Sequence, residues 1–205
     1  MKIRTSIELA AILDDDKCGE RRVHAFLKRN LDIVVGTFAT SWNYAKAYSE
    51  IEFGSDYRAD FLVLCADSGS WTAHVIELKS PTDRLYTTKG VKTSKFLLVE
   101  RQLAQRSDWK RAFDSHFREA LAKKVPLSVA AQCSDADSHS SAHSELRDPL
   151  TNIWFEPHAV IGRSSKLTHS DRERRRQDES YRLRGSGEIL TFDRFLQVAR
   201  RAEGD

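Results

Sequence analysis

The sequence predicts a single α/β domain, and three observations support this fold class. The chain has 205 residues, a length that one hydrophobic core can organise. Hydrophobic residues make up 40% of it, and the 31% of charged residues suits a well-solvated surface. Helix-like and strand-like hydrophobic patterns both occur along the chain. We therefore expect helices and a sheet to share one core over residues 1–205.

The N-terminal part is predicted to be helical and then extended. Residues 6–30 have helical periodicity with a break near residues 14–19, and Glu20 opens the second helix. From Ile33 to Phe53, apolar and polar residues alternate in part, which is typical of one or two strands. The N-terminal apolar stretch is interrupted by acidic residues, so we expect no signal peptide, no membrane partner and a cytoplasmic location.

The clearest local pattern is a β-hairpin from Asp60 to Leu78 with its turn at residues 67–70. If the hairpin closes symmetrically about that turn, Asp60 lies opposite Glu77. Side chains alternate along a strand, so Glu77 and Lys79 project from the same face as Asp60. The sequence thus predicts two carboxylates and a lysine at the end of an apolar strand face.

Beyond Thr93, apolar residues at helical spacing predict a long amphipathic segment as far as Leu121, divided into two helices at Ser107. A short strand is predicted at residues 127–131. Residues 133–148 are rich in Ser, Asp and His without apolar periodicity, which predicts an exposed or disordered loop inside the domain.

The last quarter of the chain is predicted to return to regular structure. Short strands are expected at residues 153–155 and 159–161. Ser170 is the expected cap of a highly charged helix that reaches Leu183, and Thr191 is the expected cap of a final helix. No internal repeat divides the chain.

The hairpin carboxylates predict a metal site. Asp60 and Glu77 repel each other at close range, and one lysine offsets only part of that repulsion. A divalent cation would resolve it, and oxygen ligands suit Mg²⁺, or Mn²⁺, which also binds substrate phosphate. An ordinary charge cluster at a strand end is the alternative that this short motif leaves open.

Other candidate ligands are weaker. Cys133, His139 and His143 suggest a metal site, but no fourth ligand has zinc-finger spacing. His74 falls on the strand face opposite Glu77, which favours a packed or exposed strand residue over a general base.

Positive charge is concentrated in residues 84–124 and 163–184, although the formal net charge is only +3. Both segments could contact phosphates, and solvated helix faces would also account for either one alone. The candidate nucleic-acid contacts are Lys89, Lys92, Lys95 and Arg106.

Six segments together resemble a known family. They are residues 20–27 (ERRVHAFL), 57–64 (YRADFLVL), 75–81 (VIELKSP), 101–103 (RQL), 160–163 (VIGR) and 189–196 (ILTFDRFL). Their order and spacing resemble the motifs of the Shedu anti-phage nuclease domain, of the PD-(D/E)XK type. The resemblance implies a restriction-endonuclease-like core, in which helices flank a mixed central sheet and the hairpin carries the active site.

The resemblance also implies a role for each motif residue. Asp60 and Glu77 would be metal ligands, and Lys79 would be the catalytic lysine. Glu20 would lie near the metal or its water, whereas the helix N-terminus alone would also favour an acid there. These roles extend the metal site predicted from the hairpin to a second element of the fold.

A glutamine is the least determined part of the site that the resemblance implies. Gln102 would orient the nucleophile, but Gln105 is one helical turn away on a similar face, so either could serve. Without the resemblance, Gln102 would be assigned as a solvent-facing helix residue.

The expected function is that of a metal-dependent DNA endonuclease in bacterial anti-phage defence. A module of the same fold that binds nucleic acid or protein without cleavage is the alternative. A homo-oligomer is compatible with two cuts needing two sites, although no coiled-coil pattern supports one.

Overall fold

A computed structural model describes residues 4–39, 44–55, 57–67, 70–124, 142–180 and 187–204. Within these ranges the strands are β1 (Tyr44–Phe53), β2 (Tyr57–Asp67), β3 (Ser70–Leu78), β4 (Asn152–Val160) and β5 (Glu188–Leu190). The α-helices there are α1 (Thr5–Asp14), α2 (Glu20–Arg29), α3 (Leu31–Phe38), α4 (Ser94–Ala112), α5 (Asp114–Lys124), α6 (Ala142–Arg147), α7 (His169–Ser180) and α8 (Asp193–Glu203). One 3₁₀ turn spans Ser164–Lys166.

The five described strands form one mixed sheet in the order β1-β2-β3-β4-β5. The first three are antiparallel, whereas β3 pairs with β4 and β4 with β5 in parallel. Helices pack against both faces of this sheet, so the predicted mixed sheet flanked by helices is confirmed. None of the described helices is long and apolar enough to cross a membrane.

Alternation along β2 and β3 sends two sets of side chains into separate cores. On one face, Phe61, Val63 and Ile76 pack with α1, α2, α3 and α8. On the other face, Leu62 and Val75 belong to a core shared with α5 and α6. The helix α4 also lies on this second face, against β4 and β5. The sheet therefore separates two hydrophobic cores, one on each of its faces.

The predicted hairpin register is confirmed. Phe61 faces Ile76, and the pairing continues to Asp67 and Ser70 at the turn. Asp60 and Glu77 come directly beyond the last of these pairs, so the ladder delivers both carboxylates to the same end. The length of the strands, with no interruption in pairing, keeps this register in place.

The expectation of strand from Ile33 onwards is wrong for its first part, because Leu31–Phe38 forms α3. Its β-branched residues favour a strand locally, yet Ile33, Val34 and Thr37 are buried at the spacing of one helix face. Close packing also requires Gly36, since a Cβ there would lie 2.8 Å from Val198 of α8. Tertiary packing thus overrides the local preference.

The predicted split at Ser107 is also wrong. One helix, α4, runs from Ser94 to Ala112, and the break falls at Phe113. Ser107 donates its hydroxyl to the carbonyl of Leu103 inside the helix, at 3.2 Å. The cap of α4 is Thr93, whose hydroxyl accepts a hydrogen bond from the amide of Phe96.

The expectations after residue 124 have different outcomes. Residues 127–131 and 133–141 lie outside the described residues, but the rest of the predicted loop contains α6, in which Leu146 is fully buried. The two short strands are one continuous strand, β4, and Pro157 is accommodated because the described pairing with β5 begins only at His158.

The charged helix and the final helix are confirmed with shifted starts. Thr168, rather than Ser170, caps α7 by accepting a hydrogen bond from the amide of Asp171. The final helix α8 begins at Asp193, two residues after the predicted cap.

Candidate active site

The end of the β2–β3 hairpin is bordered by α2 on one side and α4 on the other. Asp60 and Glu77 come from the two strands, and Lys79 follows β3 directly. The first residue of α2 is Glu20, and α4 contributes Arg106. This cluster, which we call the carboxylate site, draws on segments far apart in the chain.

Asp60 is anchored by the backbone. Its Oδ2 accepts a hydrogen bond from the amide of Leu78 at 2.7 Å, and its Oδ1 lies 3.9 Å from Nε2 of His24. Burial raises the pKa of Asp60, and the hydrogen bond from Leu78 opposes that rise. The carboxylate is thus fixed in orientation, with one oxygen held and the other directed towards α2.

Glu77 lies between two cations. Lys79 Nζ donates to Oε1 at 2.8 Å, and Arg106 Nη2 donates to Oε2 at 2.5 Å. Side-chain exposures of 17% for Glu77 and 10% for Arg106 make this a shielded ion pair. Arg106 also lies over the ring of Tyr57, 5.3 Å from its centroid. Both oxygens of Glu77 therefore have a charged partner.

Glu20 and His24 are one turn apart on α2, so both project towards the carboxylate site. Burial raises the pKa of Glu20, and the negative charges of Asp60 and Glu77 act in the same direction. Lys79 opposes them. His24 packs its ring 5.0 Å from that of Phe61, and its Nε2 is enclosed without a hydrogen-bond partner.

The two candidate glutamines differ in their surroundings. Gln102 lies one turn before Arg106 on the same face of α4, and its buried Oε1 has no hydrogen-bond partner. Gln105 is exposed. The orientation of α4 therefore favours Gln102 as the glutamine nearer to the carboxylate site.

The four residues predicted to contact nucleic acid differ in exposure and in their ion-pair partners. Lys89 and Lys95 are exposed before and within the first turn of α4. Lys92 is bound to Glu100 at 2.9 Å, and it is also paired with Asp178 of α7. Arg106 belongs to the carboxylate site, where it is 9% exposed. Only Lys89 and Lys95 of these four present their charge at the surface.

Sequence reasoning missed two members of this site. Arg106 was assigned to the charged surface, because the rotation of α4 cannot be read without its true length and cap. His24 lies within the segment that carries the family resemblance, and its spacing of four residues from Glu20 was the available signal. The other predicted members, Asp60, Glu77, Lys79 and Glu20, lie within electrostatic reach of one another.

The donor set at the carboxylate site is rich in oxygen. Asp60, Glu77 and Glu20 supply carboxylates, and hard divalent cations such as Mg²⁺ prefer such ligands. Lysine and arginine beside Glu77 would also favour a second anion, such as a phosphate, at the same place.

Comparison with protein families supports the resemblance drawn from the motifs. Residues 17–196 match the family described as Shedu protein SduA, C-terminal. A comparison with curated proteins found no significant match. The family match includes every member of the carboxylate site and covers most of the chain, so this chain belongs to the Shedu family.

Proposed function

We propose that the chain is a metal-dependent DNA endonuclease with a restriction-endonuclease-like core. Membership of the Shedu family associates it with anti-phage defence. The observation that carries the catalytic proposal is the convergence of Asp60, Glu77 and Lys79 at one end of the hairpin. Their residue types and spacing agree with the motif of PD-(D/E)XK nucleases.

The residues of the carboxylate site fit a hard divalent cation. Burial raises the pKa values of Asp60 and Glu20, so each carboxylate loses solvation that a cation would restore. The enclosed Oε1 of Gln102 adds an acceptor without a partner. Asp60 and Glu77 would hold Mg²⁺ or Mn²⁺, and the cation would supply charge stabilisation at the phosphate and a more acidic water.

The chain's own residues would position the reacting groups. Lys79 is held by Glu77, so its ammonium is placed at the strand end rather than in solvent, where it can stabilise charge that develops on the phosphate. Arg106 fixes the other oxygen of Glu77 and keeps that carboxylate in place. Glu20 and Gln102 are the candidates for orienting the attacking water.

DNA is the substrate that charge and family both favour. Lys89 and Lys95 are exposed and precede or begin α4, the helix that carries Arg106 and Gln102. Such lysines can contact the phosphate backbone without reading sequence. We therefore propose a phosphodiesterase that acts on DNA.

A non-cleaving module of the same fold is the second candidate. The paired cations around Glu77 favour it in one respect, because they already satisfy the charge of that carboxylate without a metal. Such a module would bind DNA or a protein partner, and its stability would not respond to Mg²⁺.

Cleavage assays on supercoiled, linear and single-stranded DNA would test the proposal, each with Mg²⁺, Mn²⁺ or EDTA. We expect cutting by the wild type only with metal, and a loss of at least about 100-fold in Glu77→Ala and in Lys79→Ala. The substrate that is cut would identify the preferred form of DNA.

Matched control variants lie on β1. Lys46→Ala and Glu52→Ala remove exposed charges of the same types and should leave cutting unchanged. Wild-type protein that binds DNA but never cuts it would support the binding module instead. Equal cutting by the wild type and both active-site variants would show that the catalytic residues lie elsewhere.

A further inference from the structure

A second cluster of potential metal ligands lies on the opposite face of β3 from Glu77. His74 projects from β3, and Glu156 and His158 project from the same face of the neighbouring strand β4. Among the described residues this is the one group of three His, Cys, Asp or Glu ligand atoms that lie within 4.8 Å of one another. We call it the histidine site.

The three ligand atoms have the spacing of a metal-binding triad. Nδ1 of His74 is 3.0 Å from Nε2 of His158, and these atoms lie 3.4 Å and 3.9 Å from Oε2 of Glu156. Metal–nitrogen bonds of about 2.0–2.1 Å in a tetrahedral site place neighbouring ligand atoms about 3.3 Å apart. The observed separations bracket that value.

The strand register produces this arrangement. In a parallel pair, facing residues project to the same side, and His74 faces Glu156. His158 is two residues further along β4, so its side chain returns to the same face. The ring of Phe38 in α3 covers both imidazoles, at 5.6 Å from His74 and 4.7 Å from His158. One rigid ladder and one aromatic cover thus fix all three ligands.

The outer nitrogens of the two imidazoles are not among the three facing ligand atoms, and each would carry the N–H of its ring if the facing nitrogen bound a metal. Nε2 of His74 and Nδ1 of His158 are buried without hydrogen-bond partners, at side-chain exposures of 8% and 5%. Glu188 of β5 places Oε2 3.8 Å from Nδ1 of His158. Histidine ligands of metals commonly donate this second N–H to a carboxylate. Glu188 is the carboxylate near His158, but at 3.8 Å it lies outside hydrogen-bond distance.

A hydrogen bond between two neutral imidazoles is the competing explanation of the 3.0 Å contact. It would use one nitrogen of each ring and leave the carboxylate of Glu156 outside the interaction. Glu156 instead lies within 4 Å of both facing nitrogens, and about half of its side chain is exposed. An exposed third ligand also leaves room for a water as the fourth.

We propose that His74, His158 and Glu156 bind one divalent transition-metal ion of the zinc class, which fastens β3 to β4. Two imidazoles and one carboxylate suit zinc or iron better than Mg²⁺, which prefers oxygen ligands alone. The site is therefore distinct in position and in metal preference from the carboxylate site. It stabilises the parallel pairing at the centre of the sheet.

Zinc uptake by the whole protein would test this site. The protein is treated with chelator, incubated with ZnCl₂, desalted and analysed for bound zinc and melting temperature. We expect one equivalent in the wild type and in Asp60→Asn/Glu77→Gln, with a higher melting temperature than without zinc. Glu156→Gln, at an exposed position, should keep the fold and lose at least tenfold in zinc affinity.

Further variants separate the ligands from other sources of zinc. His158→Gln should take up no zinc at this site, and circular dichroism would verify that it folds. His169→Gln removes an exposed surface histidine near Glu173 and should bind zinc as the wild type does. Unchanged uptake in both Glu156→Gln and His158→Gln would overturn the proposal. Loss of uptake only in Asp60→Asn/Glu77→Gln, or only in Cys133→Ser, would overturn it as well.

Discussion

The two faces of β3 carry different chemistry only three residues apart. Glu77 ends one face, beside a lysine and an arginine, whereas His74 lies in the middle of the other face, beside a second histidine. The carboxylate site collects charges and lies at a strand end. The histidine site collects two imidazole rings and is covered by Phe38. The position along a strand thus separates a charged cluster at the strand end from a covered cluster in the middle of the sheet.

Burial acts on the two sites in opposite directions. It raises the pKa values of Glu20 and Asp60, so protonation of these carboxyls favours the folded state. It lowers the pKa of His158 to about 3, so protonation of this imidazole favours the unfolded state. The same desolvation therefore predicts opposite responses to acid on the two faces.

The largest effect on stability is expected for Arg106→Met. The change leaves Glu77 with one cationic partner instead of two, in a site where its side chain is only 17% exposed. We expect a loss of about 3 kcal/mol in the free energy of unfolding, measured by urea denaturation in EDTA. Adding Glu77→Gln to this variant should restore part of it, because the carboxylate that lost one of its two cations is then removed.

Arg111→Met is the matched control on the same helix. Arg111 is 79% exposed and lies 3.6 Å from Asp108, so its removal should change stability by less than about 0.5 kcal/mol. Equal losses for Arg106→Met and Arg111→Met would mean that the pair with Glu77 contributes no more than a surface ion pair.

The sequence was sufficient for the hairpin, because one turn centre and strict alternation determine every facing pair. Asp60, Glu77 and Lys79 were therefore placed correctly on one face. Glu20 could be added only through the family resemblance, since no local pattern relates α2 to a strand end forty residues later. Arg106 was misplaced because its direction depends on how α4 packs.

The histidine site shows a different limit of prediction from sequence, namely contacts between residues far apart in the chain. Alternation alone put His74 on the face opposite Glu77, and it is indeed packed there. Its partner His158 comes 84 residues later, and their contact requires the parallel register of β3 and β4. Because Pro157 interrupts the strand pattern in the sequence, β4 was predicted as two short strands. Tertiary packing determines both the register of β3 against β4 and the helix at Leu31–Phe38. The periodicity of the sequence carries no information about such packing.

A pH series in chelator should separate the two faces. The ordinary pKa of histidine is about 6.5, so below that pH His158 is protonated in the unfolded state but stays neutral in the folded state. Stability is then lost as the pH falls towards 3, at about 1.4 kcal/mol per unit. Between pH 7 and pH 5 we expect His158 to account for about 2 kcal/mol, measured by urea denaturation.

His74, Glu156 and Glu188 face His158 and could also change protonation with pH. A comparison of variants distinguishes the contribution of His158 from theirs. His158→Gln should flatten the dependence on pH, whereas His169→Gln, at a surface position, should follow the wild type. Parallel curves for the wild type and His158→Gln would show that this histidine is not held neutral by burial.

The smallest effect concerns the cap that fixes the start of α4, and through it the direction of Arg106 and Gln102. Thr93 accepts a hydrogen bond from the amide of Phe96 at 3.2 Å and donates one to the carbonyl of Arg84 at 2.7 Å. Thr93→Ala should cost about 1 kcal/mol in thermal or urea unfolding, as loss of an N-cap does. Ser107→Ala should cost less, because Ser107 lies within the helix and donates its hydroxyl to the carbonyl of Leu103, which the helix already occupies. The reverse order would mean that the cap at Thr93 contributes less to α4 than the hydroxyl of Ser107, and that the cap does not fix the direction of Arg106.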